Sequence, residues 1–324
     1  MRRKLILIII PLSMILAISK ITGESWFWAY DRLGAVSSLW KAEVPLRTVH
    51  KSQAALESYK LRIKSEAAVV LDATKGEVLF EKNMEKALPI ASLSKLMTAL
   101  VFLETNPNLN DTASINVADA EGAGWSQLKI KEIFTLNDLL HASLMSSNNR
   151  ATRTLARSCG LSSGEFVARM NQKAKKIGLQ NTVFFEPTGL DTNNRSTALD
   201  CARLLYFAQK ESTIAAITGK STYQFCSVGK RRRPHQIRST NKLLCGSLNV
   251  KGGKTGYNGA SGFCLGTLVE GKDGEEILAV VLGAPSSAAR FREMKSIVEW
   301  CTRSCASPVE EEKSEVQEKT GTGG

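Results

Sequence analysis

A serine and a lysine one helical turn apart are the residues of this chain best suited to nucleophilic catalysis. Ser92 precedes Lys95 by three residues, so on a helix the two side chains lie on one face. A serine hydroxyl is a weak nucleophile until a base takes its proton. Lys95 can be that base once it is neutral, and burial or a second nearby cation lowers a lysine pKa in that direction.

The Ser-x-x-Lys spacing alone is weak evidence, because it recurs at Ser38, Ser126, Ser227 and Ser239. Context favours Ser92, which stands at the start of an apolar repeat with helical spacing: Leu93, Leu96, Met97, Leu100 and Val101. The free N–H groups at a helix N-terminus stabilise negative charge there. The alternative is that Ser92 is an ordinary N-cap.

Two further motifs supply polar groups to a possible cleft. Ser146-Ser147-Asn148 lies in a polar break between two predicted helices, where Ser146 and Asn148 offer a hydroxyl and an amide in a Ser-x-Asn pattern. Simple loop polarity is the alternative. Lys254-Thr255-Gly256 precedes a strand-like run, and on an edge strand it offers a cation, a hydroxyl and room for a ligand backbone. A second Lys-Thr-Gly, at Lys319, lies in an acidic tail and is set aside.

The elements that must position these residues follow an α+β order rather than a βαβ repeat. The pattern predicts a β-hairpin over residues 67–71 and 77–81, with strands again over 261–269 and 277–282. The predicted helices cover residues 92–106, 136–144, 151–156, 166–177, 197–209 and 290–301.

The composition indicates a globular protein with a sizeable core. The chain has 324 residues, with 43 Lys and Arg against 31 Asp and Glu, a net charge of +12. Three His lie far apart, and none of the seven Cys forms a CxxC pair. This argues against a His-based metal site, a zinc ribbon or a thioredoxin-type site, and we expect no metal and no cofactor.

The two ends of the chain differ from its body. Three basic residues precede an uncharged apolar run over 5–19, which predicts a signal peptide or an N-terminal membrane anchor over residues 1–19. Either places the body in the periplasm or at the outer face of the cytoplasmic membrane, away from nucleic acid. We expect a linker segment over 20–64, a catalytic domain over 65–305 and a disordered acidic tail over 306–324.

The three motifs, in this order, resemble the signature of penicillin-binding proteins and class A β-lactamases. The stretch 88–100 (LPIASLSKLMTAL), the opening hairpin, Ser196-Thr-Ala-Leu-Asp200 and Ser247-Leu-Asn-Val250 resemble the serine D-alanyl-D-alanine carboxypeptidases, the low-molecular-weight penicillin-binding proteins of peptidase family S11. The resemblance covers about residues 65–305. It implies an α+β fold of the DD-peptidase/β-lactamase type, in which an antiparallel sheet flanked by helices borders a cleft with a helical lobe.

The resemblance also implies catalytic roles. Ser92 would attack the penultimate D-Ala carbonyl of a peptidoglycan stem peptide ending in D-Ala-D-Ala, and hydrolysis of the acyl-enzyme would follow. β-Lactams would acylate the same serine. Lys95 would be the base, with its pKa lowered by Lys254 and by burial. Ser146 would relay the proton to the leaving amine, and Asn148 would hold Lys95 and the substrate amide.

Further residues would bind the substrate. Lys254 and Thr255, beside Gly256, would bind the terminal carboxylate, and the backbone N–H groups of Ser92 and Tyr257 would form the oxyanion hole. Arg290 matches a family arginine near the carboxylate site, with an exposed helix-end charge as the alternative. Glu186 precedes Pro187 where the family often has Asn, and we interpret it as a surface or turn residue.

Several functions remain open from sequence. A DD-endopeptidase, a weak transpeptidase and a serine β-lactamase would share these residues, and fast penicillin turnover would favour the last. From a different class comes a non-catalytic, basic wall- or membrane-binding protein, suggested by the net charge and by the run Lys230–Arg233. Membrane contact through the N-terminal segment is a further expectation.

Overall fold

The computed structural model describes residues 47–48, 61–230 and 232–304. The predicted signal or anchor, most of the linker and all of the acidic tail lie outside these residues, so those predictions stay untested. Within the described ranges, no helix is long and apolar enough to cross a membrane.

The described residues form twelve strands and eight α-helices. The strands are β1 (Arg47–Thr48), β2 (Ala67–Asp72), β3 (Glu77–Lys82), β4 (Leu88–Pro89), β5 (Thr112–Ser114), β6 (Ile133–Thr135), β7 (Arg195–Ser196), β8 (Thr222–Cys226), β9 (Pro234–Arg238), β10 (Val250–Asn258), β11 (Gly262–Glu270) and β12 (Glu276–Ala284). The helices are α1 (Ser94–Leu103), α2 (Val117–Ala120), α3 (Leu136–Met145), α4 (Asn149–Ser158), α5 (Ser163–Lys176), α6 (Ala198–Lys210), α7 (Ser212–Thr218) and α8 (Ser287–Ser304).

A six-stranded sheet is the framework of the fold, with the strand order β1-β3-β2-β12-β11-β10. All of its pairs are antiparallel except β1 with β3. Successive side chains of a strand face opposite sides of a sheet, and both sides are covered here. Helix α8 packs on β11 and β12, and α6 also packs on these strands and on β2. The predicted α+β class with an antiparallel sheet is confirmed.

The core beneath α8 shows how the alternation works. Ala68 and Val70 of β2 face the same side as Ala279 and Val281 of β12, and all four are buried in one apolar cluster. Burial of such side chains stabilises the fold by about 25 cal/mol per Å² of apolar surface. This apolar packing holds the sheet in place. Its edge strand, β10, forms one side of the candidate site.

The short edge strand β1 lies within the segment that was predicted to be a linker. Arg47 pairs with Glu77 and Thr48 with Val78 in parallel. The outer edge of a hairpin presents unpaired backbone N–H and C=O groups, and a passing chain segment satisfies them by adding a strand. The hairpin of β8 and β9 and the short helix α7 were also not predicted from sequence.

Candidate active site

The nucleophile candidate lies in a tight turn before α1. Residues Ala91–Leu93 form a single 3₁₀ turn, and Ser92 is half-buried in it. Ala91 has φ +46°, a left-handed conformation that is uncommon for a residue with a side chain. Lys95 follows one turn later, fully buried, and its Nζ donates to Ser92 Oγ at 2.9 Å. The predicted contact between serine and lysine is therefore present.

The amine of Lys95 is held by two further acceptors. Its Nζ donates to Asn149 Oδ1 at 2.7 Å and to the backbone oxygen of Thr188 at 2.6 Å. An ammonium group has three donors, and Ser92 accepts the third. The side chain is thus fixed with its nitrogen directed at the candidate nucleophile.

Burial gives Lys95 the protonation behaviour of a base. It lowers the pKa of Lys95 to about 7, an effect opposed by the carboxylate of Glu186 and increased by the guanidinium of Arg153. Burial is the main cause, and Arg153, rather than the predicted Lys254, is the cation that adds to it. A pKa near 7 leaves a large part of the amine neutral at neutral pH.

A second buried lysine faces the same space from β10. Lys254 Nζ donates to Ser147 Oγ at 2.9 Å and to the backbone oxygen of Thr255 at 2.8 Å. Burial holds the pKa of Lys254 well below its usual value, and the nearby cations Lys95 and Arg290 add to this. Both lysines of the site therefore lose a proton more readily than an exposed lysine does. A bound anion would favour their protonated forms.

The structure corrects the Ser-x-Asn prediction by one residue. Ser146 Oγ donates to the backbone oxygen of Ala142 at 2.8 Å, one turn back in α3. Asn148 Nδ2 donates to Ser126 Oγ at 2.7 Å. Neither side chain contacts Lys95 or Lys254 in any described hydrogen bond, so the predicted contact between Asn148 and Lys95 is wrong. The hydroxyl and amide that do contact the lysines belong to Ser147 and Asn149.

Helix capping explains this register. Asn148 is the N-cap of α4, and its side chain accepts from the backbone N–H of Ala151 at 3.1 Å. The next residue, Asn149, begins the helix and faces Lys95. Asn is among the preferred N-cap residues, so a capping argument could have separated the two overlapping Ser-x-Asn matches. Ser147 lies between the helices with φ +59°, a strained conformation that persists only when surrounding structure fixes it.

The Lys-Thr-Gly strand packs directly on the nucleophile turn. A Cβ added to Gly256 would lie 2.9 Å from the backbone oxygen of Ile90 and 3.2 Å from the Cβ of Ala91. The missing side chain therefore allows β10 to approach. Thr255 is buried, and its Oγ1 lies 2.5 Å from Oγ1 of Thr240. The edge-strand prediction for this motif is confirmed.

Arg290 supports β10 from behind. It is 7% exposed, and its Nη1 donates to the backbone oxygens of Gly256 at 3.0 Å and Cys264 at 3.2 Å. An exposed helix-end charge is therefore excluded, and direct contact with a substrate carboxylate stays a prediction. Tyr257, at the next position of β10, is 58% exposed and stacks on Phe263. The role of its backbone N–H in an oxyanion hole also stays a prediction.

Glu186 lies in a bend of the chain, in agreement with the turn interpretation, but it is not a fully exposed surface residue. It is half-buried, and its carboxylate accepts from the backbone N–H of Thr188 at 2.7 Å and from Thr188 Oγ1 at 2.6 Å. The same Thr188 presents its carbonyl to Lys95. Sequence reasoning missed this link because the residues meet only in the folded chain.

Comparison with known protein families shows the family of the chain. Residues 51–286 match peptidase S11, D-alanyl-D-alanine carboxypeptidase. The chain belongs to this family. S11 membership agrees with the resemblance seen in the motifs, and it extends over the sheet and the helical residues that surround Ser92 and Lys95.

Individual S11 relatives differ in their named activity. The chain is 30% identical over 268 residues to the D-alanyl-D-alanine endopeptidase of Escherichia coli (strain K12), a match covering 81% of this chain and 85% of the relative. It is 32% identical over 247 residues to the D-alanyl-D-alanine carboxypeptidase DacF of Bacillus subtilis (strain 168), covering 74% of this chain and 63% of that protein.

Solved structures show the same fold. The Streptomyces K15 DD-transpeptidase superposes with a TM-score of 0.70 at 26% identity, covering 74% of this chain and 97% of that one. Penicillin-binding protein D2 from Listeria monocytogenes, in its cefotaxime-bound form, gives a TM-score of 0.65 at 30% identity, covering 74% and 98%. The fold of this S11 protein is thus that of the DD-peptidases and penicillin-binding proteins.

Proposed function

We propose that this S11 protein is a serine-type D-Ala-D-Ala carboxypeptidase that removes the terminal D-alanine from peptidoglycan stem peptides. The observation that carries the proposal is the 2.9 Å hydrogen bond from Lys95 Nζ to Ser92 Oγ, made by a buried amine with a pKa of about 7. An activated serine is what acyl transfer requires.

The acylation step uses the two lysines and the serine between the helices. Neutral Lys95 takes the hydroxyl proton as Ser92 Oγ attacks the carbonyl carbon of the penultimate D-Ala. When the tetrahedral intermediate collapses, the C–N bond breaks and the leaving amine takes up the proton that Lys95 accepted from Ser92. Ser147 bonds to Lys254 and stands beside Asn149, so its hydroxyl is suited to pass that proton. Water then attacks the ester and regenerates Ser92.

The Lys-Thr-Gly strand supports recognition of a C-terminal residue. A substrate carboxylate beside Lys254 and Thr255 would return Lys254 to its charged form, because a nearby anion raises a lysine pKa. A free carboxylate distinguishes a terminal D-Ala from an internal residue. The backbone N–H groups of Ser92 and Tyr257 would bind the oxyanion, a contribution of about 3 kcal/mol per donor in other acyl-transfer enzymes.

A DD-endopeptidase is the second candidate function. It is supported by the Escherichia coli endopeptidase, which aligns over 85% of its own length, whereas the DacF carboxypeptidase aligns over 63%. The chemistry at Ser92 would be the same, and the leaving amine would belong to a second stem peptide rather than to free D-Ala.

The proposed substrate class supports a location outside the cytoplasm. We propose that it is exported to the periplasm or to the outer face of the cytoplasmic membrane, with the apolar segment over residues 1–19 as its signal or anchor. β-Lactams would act as inhibitors by acylating Ser92, in line with the cefotaxime-bound structural relative.

Peptidoglycan fragments test the proposal. The full chain and its Ser92→Ala variant are incubated with a stem pentapeptide ending in D-Ala-D-Ala and with a cross-linked peptide dimer, and products are separated by mass. Release of D-Ala by the wild type alone supports the carboxypeptidase. Dimer cleavage without D-Ala release would favour the endopeptidase. Activity that survives in Ser92→Ala, or none in the wild type, would contradict the proposal.

A further inference from the structure

The loop of residues 186–191 touches three parts of the site at once. The Thr188 carbonyl accepts from Lys95 Nζ at 2.6 Å. The Gly189 carbonyl accepts from Asn258 Nδ2, at the end of β10, at 3.2 Å. The Pro187 carbonyl accepts from Thr98 Oγ1 of α1 at 2.6 Å. A shift of this loop would therefore move the base and change the packing of the nucleophile turn.

Gly189 shows how closely the loop packs on that turn. It has φ +83°, and an added Cβ would lie 1.8 Å from the backbone oxygen of Ala91 and 2.8 Å from the backbone nitrogen of Ser92. The loop backbone thus lies against the peptide unit that carries the nucleophile. The loop itself forms no helix or strand, so its backbone N–H groups need acceptors from nearby side chains.

The support is the side chain of Glu186. One carboxylate oxygen accepts from Thr188 N and Thr188 Oγ1, at 2.7 and 2.6 Å. The other accepts from the backbone N–H groups of Gly189 and, at 3.4 Å, Asp191. Hydrogen bonds to an ionised acceptor are roughly twice as strong as neutral ones. One half-buried side chain therefore fixes the backbone of the loop from Thr188 to Asp191.

Glu186 also contributes charge to the surroundings of Lys95. The groups facing Lys95 come from four elements: Ser92 in the nucleophile turn, Asn149 and Arg153 on α4, Lys254 on β10, and Thr188 with Glu186 in the loop. Arg153 and Lys254 are basic, and Ser92, Asn149 and Thr188 carry no charge. Among these residues, Glu186 carries the one carboxylate. Its charge raises the pKa of Lys95, whereas burial and the charge of Arg153 lower it.

We propose that Glu186 is a positioning residue for acylation, which holds the Thr188 carbonyl on Lys95 and supplies the negative charge that keeps this amine basic enough to deprotonate Ser92. The inference rests on the proposed acyl-enzyme chemistry. A lysine surrounded only by apolar groups and cations would be neutral but a weak base, and base catalysis is most efficient when the pKa lies near the working pH.

The test is the pH profile of acylation by a penicillin, measured as the second-order rate constant on the full chain. In Glu186→Gln the loss of charge lowers the pKa of Lys95, so we expect the acid limb to move to lower pH by about half a unit or more. The plateau should fall a few-fold because the base is weaker. Arg153→Gln should move the limb the opposite way.

Two variants of the same loop separate charge from structure. Asp191→Asn also removes one negative charge, but the Asp191 carboxylate accepts from the backbone N–H of Asn193, so its acid limb should stay at the wild-type pH. Thr188→Val removes a hydroxyl bond to Glu186 and keeps the charge. It should lower the plateau without moving the limb, and thermal melts confirm that each variant is folded.

Two results would overturn the inference. If Glu186→Gln lowers the plateau as Thr188→Val does and leaves the limb in place, the carboxylate is only structural. If acylation is normal and only hydrolysis of the acyl-enzyme slows, Glu186 acts in deacylation instead. Absence of any acylation in the wild type is a separate result, which would reject the proposed function itself.

Discussion

The pair Ser146 and Asn148 and the pair Ser147 and Asn149 lie one residue apart where α3 ends and α4 begins. Substitutions in the two pairs are therefore matched controls for each other. Asn149→Ala removes the 2.7 Å contact to Lys95, so we expect acylation to slow by at least roughly 10-fold. Asn148→Ala removes a helix N-cap, which should cost about 1 kcal/mol of stability and leave acylation within about three-fold. Ser147→Ala and Ser146→Ala should differ in the same way. Stopped-flow acylation rates and thermal melts measure the two effects. A larger loss of acylation in the Ser146 and Asn148 variants than in the Ser147 and Asn149 variants would contradict this assignment.

The protonation of Lys95 sets the pH dependence of the wild type. The amine must be neutral to accept the Ser92 proton, and its pKa is about 7. The acylation rate should therefore rise with pH through about 7 and level off above it. Rates measured with a penicillin between pH 5 and 9 check this. A rate that keeps rising through pH 9 would mean that Lys95 has the pKa of an exposed lysine.

At the scale of elements, the 186–191 loop packs closely against the nucleophile turn. In Gly189→Ala the new methyl group would collide with the backbone oxygen of Ala91, so the loop must move. We expect a loss of about 1–3 kcal/mol in stability together with slower acylation.

Gly160→Ala is the matched control for this prediction. Gly160 has φ +70°, but nothing lies within 4 Å of its added Cβ, so it shares the backbone strain without the collision. Chemical denaturation and acylation rates compare the two variants. Equal behaviour would show that strain alone, and not the close approach, matters at Gly189.

The regular elements were largely predictable because their signals are local. Apolar periodicity placed α1, α3, α6 and α8 and the strands β2, β3, β11 and β12 within a few residues of their observed ends. The hairpin of β8 and β9 was missed because it alternates weakly and carries a basic turn. The 3₁₀ turn around Ser92 was included in the predicted helix, because its apolar spacing continues into α1.

The candidate site was only partly predictable. Ser92, Lys95 and Lys254 were found because their motifs have fixed spacing. Ser-x-Asn failed because two matches overlap, and periodicity does not choose between them. The role of Glu186 depends on contacts made by tertiary packing, for which a single sequence carries no local signal.

For the whole molecule, the buried Lys95 links folding to pH. Its pKa is about 7 in the folded protein and about 10.4 in an unfolded chain, so between these values the unfolded state binds more protons. Stability therefore rises with pH across this window, and the penalty for the buried charge is fully present below pH 7. Lys95→Met removes it, so the melting temperature of this variant relative to wild type should be highest at pH 6 and decline towards pH 9.

The exposed Lys272 provides the control for this experiment. Lys272→Met should shift the melting temperature equally at all pH values between 6 and 9. A constant difference between Lys95→Met and the wild type over the same range would contradict the burial of a titrating amine at position 95.

Intact-mass analysis after incubation with a labelled penicillin tests the assignment of the nucleophile most directly. We predict one covalent adduct per chain on the wild type, and none on a folded Ser92→Ala variant. An adduct on both proteins would place the nucleophile at another residue, and its absence from both would contradict acyl transfer at this site.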